Sequence, residues 1–325
     1  MAFQKWKSPR SCRGFGAKRT LAPRIIDEIG DHSAYWEPFC GSMAVLLVKA
    51  PCAMEVANDL HGDLINLALV VKHPILGAAL YRRLRRVIMH EKLFEQEAEV
   101  VRSYNLQPAG ADPDVDRAFA FFVCSWMGRN GVSGTKKYNQ GFCKRFTSNG
   151  GHGAKRFFSA VASIPAWRWR MRGVQIYSMG ALEMIAQIED KAGTVIYCDP
   201  PYLKKGAAYV HDFEPVQSIV RSARDMSAAA LEAGASEELI IPAGQKSQHI
   251  TLAELLQRFR KTKVVVSYYD DPILDALYPR SSWTKISVPV RKSLAQGLKA
   301  QGESNEAVAP EVLLVNRPSS SMELF

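Results

Sequence analysis

Short apolar runs of strand character alternate with helix-spaced runs at both ends of this chain. That alternation restricts the fold to a mostly parallel sheet covered by helices. Leu21–Ile29 has helical spacing, with Pro23 in the first turn where its missing N–H is tolerated. Tyr35–Phe39 reads as a short buried strand running into Cys40-Gly41-Ser42, Ala44–Val48 as a helix, Met54–Ala57 as a second strand ending at Asn58-Asp59, and Leu64–Val71 as a helix. After residue 190 the pattern resumes. Thr194–Cys198 and Lys263–Tyr268 read as strands, Val216–Ala233, Leu252–Arg260 and Asp271–Leu277 as helices, and Ser287–Val290 with Val312–Val315 as a final antiparallel pair.

Residues 73–190 differ. Leu76–Val101 reads as one helix carrying Arg82, Arg83, Arg85 and Arg86, and Asp116–Trp126 as an apolar helix. Gly128–Gly153 has no periodicity, and a loop of that length in a folded chain is usually functional or disordered. It carries Arg129, Asn130, Lys136, Lys137, Tyr138 and Asn139 among glycines. Arginine and asparagine can pair with guanine and adenine edges, while lysines neutralise phosphates. Trp167-Arg168-Trp169-Arg170 alternates, which predicts a strand with one face on the core. Lys and Arg outnumber Asp and Glu by 42 to 32, a net charge of +10 that favours a polyanionic partner, nucleic acid before membrane.

The six cysteines form no Cys-x-x-Cys pair, so neither a zinc site nor a disulfide framework is expected. With no apolar run of about 18 residues, the chain reads as soluble and cytoplasmic, with no membrane partner and no metal.

The chemistry concentrates at the strand ends. A small residue after the first strand, Gly41, lets backbone approach a nucleoside-like ligand, and Asp59 after the second suits two ribose hydroxyls. The turn lacks the glycines that hold a dinucleotide pyrophosphate, which argues against a nicotinamide enzyme. A donor without phosphate, S-adenosylmethionine, tolerates such a turn. Asp199-Pro200-Pro201-Tyr202 follows a β-branched strand. The prolines end the strand and stiffen the turn. The Asp199 carboxylate and the Pro200 carbonyl then make two acceptors for the two N–H bonds of an aromatic amine. Held between them, the amine localises its lone pair and can attack a sulfonium methyl. Tyr202 is placed to stack on a base turned out of its duplex.

Together these motifs resemble the Dam-like class of DNA adenine methyltransferases, which includes phage and restriction–modification members, and they come in that class's order over nearly the whole chain. Gly14-Phe15-Gly16-Ala17-Lys18 resembles its N-terminal donor motif, and Tyr35 to Ser42 its glycine turn. Asn58-Asp59-Leu60 with Asp63-Leu64-Ile65 resembles the ribose segment, Asp199 to Tyr202 the methylation motif, and Ser267-Tyr268-Tyr269-Asp270 the end of the next strand.

The resemblance implies an α/β fold: a Rossmann-like S-adenosylmethionine-dependent methyltransferase sheet with helices on both faces, formed by residues 1–72 and 191–325. Residues 73–190 would be an inserted, mostly helical target-recognition domain. It further implies catalytic roles for Asp199, Pro200 and Tyr202. Gly14, Lys18, Phe39, Gly41, Asp59 and Asp199 would line the donor pocket, Asp199 touching both the methionine moiety and the target amine. Double-stranded DNA is the implied partner, with a cognate restriction endonuclease as a further one. The chain departs from the class at Met43, where a second glycine is usual, and at Gly14 and Ala17 of the lysine motif. The tetrapeptide alone permits cytosine or RNA as substrate, and a non-catalytic DNA-binding relative is the other class of reading; the resemblance selects adenine in DNA.

Overall fold

The computed structural model describes residues 18, 21–104, 107–128, 141–143, 153–203, 248–288 and 311–316. Seven strands form one sheet in the order β3-β2-β1-β4-β5-β7-β6. They are β1 Ala34–Glu37, β2 Met54–Asn58, β3 Val174–Tyr177, β4 Thr194–Cys198, β5 Lys263–Tyr269, β6 Thr284–Val288 and β7 Glu311–Val315. Strands β1 to β5 pair in parallel, and β7 runs antiparallel to both β5 and β6. This is an α/β fold with a Rossmann-like sheet. The strand order reverses at β1 and β4, and in such sheets ligands bind in the crevice beyond the carboxyl ends of the strands at that point.

Every residue of β4 and β7 is buried, as a strand covered on both faces requires. Their side chains alternate between two cores. Val195 and Tyr197 face one, Ile196 and Cys198 the other. The first core holds α1 Ala22–Ile29, α2 Ala44–Val48 and α3 Gly62–Lys72, together with α4 Pro74–Arg85, α5 Glu91–Ser103, α6 Val115–Met127 and α7 Gly153–Met171. The second holds α8 Ala181–Gln187, α9 Gln248–Gln257 and α10 Ile273–Leu277. Among the described residues no single helix is long and apolar enough to cross a membrane.

Three expectations are corrected. Val174–Tyr177 is the sheet's edge strand beside β2, so the sheet resumes within 73–190 rather than at 191. Val174 and Ile176 turn inward and Gln175 and Tyr177 outward, but over four residues such an alternation is too short to stand out in the sequence. The expected single helix over Leu76–Val101 is two, broken between Arg85 and Glu91, with the His90 ring capping the second at the Lys92 N–H. Trp167 to Arg170 is helical. Val161, Ile164, Trp167 and Arg170 are buried at a spacing of three, and Trp169 is exposed. The Arg170 guanidinium pairs with Glu55 of β2 (Nη2 to Oε1 2.7 Å), and Lys49 meets the same carboxylate at 2.5 Å. Within the α4 basic cluster Arg83 pairs with Asp116 and lies 3.7 Å over the Phe119 ring, so it faces α6. The expected helix Val216–Ala233 lies outside the described residues.

Candidate active site

Two constellations meet at the crevice. The first surrounds the turns after β1 and β2. Gly41 has φ 44°, in the left-handed region that favours glycine, and a Cβ added there would meet nothing within 4 Å. Its N–H donates to Asp59 Oδ2 at 2.8 Å, and the His61 N–H donates to Asp59 Oδ1 at 2.9 Å. Each carboxylate oxygen keeps a further lone pair for a ligand hydroxyl. Asn58 is fully buried. It donates to the Pro38 and Met179 carbonyls (2.9 and 3.0 Å) and accepts from the Met179 N–H at 3.0 Å. One side chain thus joins the loops after β1, β2 and β3. Phe39 is half-buried against the second core. Met43 is also left-handed (φ 55°), but its side chain enters the first core and is 1% exposed.

The second constellation lies at the ends of β4, β5 and β7. Lys18 Nζ stands 3.1 Å from Asp199 Oδ1 and donates to the Tyr202 hydroxyl at 2.5 Å. It also pairs with Glu311, the first residue of β7. The Tyr202 hydroxyl in turn donates to Glu311 Oε1 at 3.0 Å. Ser267 of β5 donates to Asp199 Oδ1 at 3.1 Å, and its Oγ lies 3.1 Å from the Tyr197 hydroxyl. Among the described residues, no donor meets the other Asp199 oxygen, and this side chain keeps a quarter of its surface exposed (24%). Pro200 is buried, as a residue fixing a turn should be. The Tyr202 ring lies 4.3 Å from that of Tyr269, centroid to centroid, at a tilt of 52°.

Burial lowers the pKa of Lys18, and the Asp199 carboxylate opposes that shift. Beneath the site, Glu37 ends β1 with its carboxyl buried; burial pushes its pKa up to about 8, against a hydrogen bond from the Tyr35 hydroxyl, and the Asp199 charge adds to the rise.

The fold therefore brings Lys18, Asp199 and Tyr202, all expected at the site, into one cluster and Gly41 with Asp59 into another. Gly14, Arg129, Asn130, Lys136, Lys137, Tyr138 and Asn139 lie outside the described residues. Glu311, Glu37 and Asn58 went without a role. For Glu311 a signal existed: an acid opening the otherwise apolar strand Glu-Val-Leu-Leu-Val, whose burial demands a cationic or donor partner.

A family model described as D12 class N6 adenine-specific DNA methyltransferase matches residues 15–218. The chain belongs to this family. The match runs from the residues before Lys18, through Gly41 and Asp59, to beyond Tyr202, and so takes in both constellations except for their β5 and β7 members. As a D12-class enzyme it methylates adenine in DNA. No curated protein matches the chain.

Proposed function

We propose that this D12-class enzyme uses S-adenosylmethionine as its donor and methylates the exocyclic amino group of an adenine turned out of duplex DNA. Gly14, Lys18, Phe39, Gly41, Asp59 and Asp199 hold the donor, Asp199, Pro200 and Tyr202 meet the base, and Arg129, Asn130, Lys136, Lys137, Tyr138 and Asn139 contact DNA. The helical part of the middle segment, up to α7, serves target recognition.

The donor fits the residues present. Gly41 turns bare backbone toward open space, where a Cβ would intrude on a ligand, and Asp59 stands beside it with lone pairs to spare. A bound sulfonium donor supplies an electrophilic methyl group, and its positive charge passes to the amine nitrogen as the new bond forms. Asp199 carries the reading. Its Oδ1 is taken by Lys18 and Ser267, which fixes the carboxylate in the crevice and leaves the second oxygen for an amine N–H. The Pro200 carbonyl supplies the second acceptor. Turning the base out costs a few kcal/mol, of which stacking on the Tyr202 ring returns about 1–3 kcal/mol.

The test is Asp199→Ala with labelled donor and plasmid DNA, the modified base being mapped by single-molecule sequencing. Methyl transfer is expected to fall roughly a hundred- to a thousandfold, while DNA binding, which rests mainly on phosphates, stays near the parent's. Near-parental turnover removes Asp199 from the chemistry. Modified cytosine as the sole product overturns the choice of base.

A further inference from the structure

We infer that Glu311 is a positioning residue for methyl transfer, taking up the Lys18 cation so that the Lys18, Asp199 and Glu311 cluster presents a net negative charge to a cationic donor. The inference rests on the reading of the donor given above. Three separate parts of the chain meet at this carboxylate: Lys18 from before α1, Tyr202 from the loop after β4, and β7 itself. Glu311 sits opposite Tyr269 on β5 and Val288 on β6, so two strand neighbours fix its place in the sheet. It is 8% exposed and opens a strand whose other four residues are apolar and buried. A carboxylate buried there is costly unless charge and hydrogen bonds compensate it, and Lys18 and the Tyr202 hydroxyl provide both.

The charge count is what matters. Asp199 and Lys18 alone would make a neutral pair, with the ammonium cancelling the field that Asp199 directs at the crevice. A second carboxylate on the same ammonium leaves the cluster one negative charge in excess. With the Lys18 and Glu311 side chains buried, that charge is screened weakly. The charge in flight is positive throughout, on the donor before transfer and on the amine after it, so a net negative cluster favours both. It also discriminates between the cationic donor and its uncharged thioether product, which has nearly the same shape. Glu311 additionally orients Tyr202: with its hydroxyl donating to Glu311 and accepting from Lys18, the ring is held at both edges of the hydrogen-bond fork.

Glu311→Gln keeps the shape and removes the charge, and Glu311→Asp keeps the charge on a shorter arm. Titration calorimetry on the full chain gives affinities for S-adenosylmethionine and for S-adenosylhomocysteine, and steady-state assays on a DNA substrate give kcat and KM. Glu311→Gln is expected to lower the preference for the sulfonium over the thioether roughly tenfold, and kcat by a similar factor. Glu311→Asp is expected to retain most of both. If Glu311→Gln fails to fold, Glu311→Asn against Glu311→Asp makes the same comparison of lost and kept charge at equal length. An equal loss of affinity for both ligands, or parental kcat and preference in a folded Glu311→Gln, overturns the inference and leaves the proposed function standing. A parent chain that binds neither ligand overturns both.

Discussion

Two residues, one ending the first strand and one in the turn after it, carry opposing local costs. Met43 takes a left-handed backbone that costs an ordinary residue about 1–2 kcal/mol. Burying its side chain returns about 1.5–3 kcal/mol. The strain is therefore offset by packing, and the side chain leaves the face of Gly41 open. Glu37 shows the reverse balance, because its buried carboxyl is held protonated, with a pKa pushed up to about 8 from an ordinary 4.5. The native state keeps a proton that the unfolded chain releases above about pH 4.5. The stabilisation is thus complete below that pH and is lost as pH rises toward 8. Across that window the loss approaches about 1.4 kcal/mol per pH unit. Glu37→Gln is expected to flatten this slope, so that the variant gains on the parent progressively from pH 5 to pH 8. Urea unfolding at several pH values checks it, and parallel profiles for the two proteins would show that Glu37 titrates normally.

At the scale of elements, the site is a set of loops at strand ends held together by few side chains. Asn58 joins three of them, and removing its amide strands two carbonyls and one N–H in a buried place, at about 1–3 kcal/mol for each group left without a partner. Asn58→Ala is expected to raise KM for the methyl donor several-fold with a smaller change in kcat, since Asp199 is anchored separately by Lys18 and Ser267. A folded variant with unchanged KM detaches Asn58 from the donor pocket. The sequence made the strand-end chemistry legible because each piece is a local pattern: an apolar run, then a turn residue or acid within a few positions. Asp199, Gly41 and Asp59 are of that kind. Glu311 and Asn58 act through partners 293 and 121 residues away, Lys18 and Met179, and only the sheet order brings them together. The Trp167 to Arg170 run misled for a related reason. Its strict alternation imitates a strand, but tertiary packing selects a face at helical spacing of three and four along α7, and buried Arg170 is explained by Glu55 and the Leu46 carbonyl across the fold.

At the scale of the whole molecule, the middle helices are built into the catalytic core. Phe119 to Val123 of α6 and Phe157 of α7 belong to the same buried cluster as Tyr35 of β1. Arg117 of α6 pairs with Asp63 of α3 at 2.7 Å and caps the Gln107 and Pro108 carbonyls. On the proposed reading, DNA that touches these helices themselves is held in a fixed relation to the strand ends, and affinity gained there is available to position the base. The surplus of ten positive charges sets the form of that affinity. Neutralising phosphates releases counterions, so binding weakens steeply as salt rises, and each lysine on a phosphate contributes close to one unit of the log–log slope. Lys136 and Lys137 are proposed to make such contacts. Replacing either with alanine is expected to weaken binding to all duplex sequences alike and to reduce the salt slope by about one, with the donor's own affinity unchanged. Fluorescence anisotropy on two unrelated duplexes over a salt series reads both effects. A preserved slope takes the lysine off the phosphates, whereas a loss confined to one sequence moves it to a base edge.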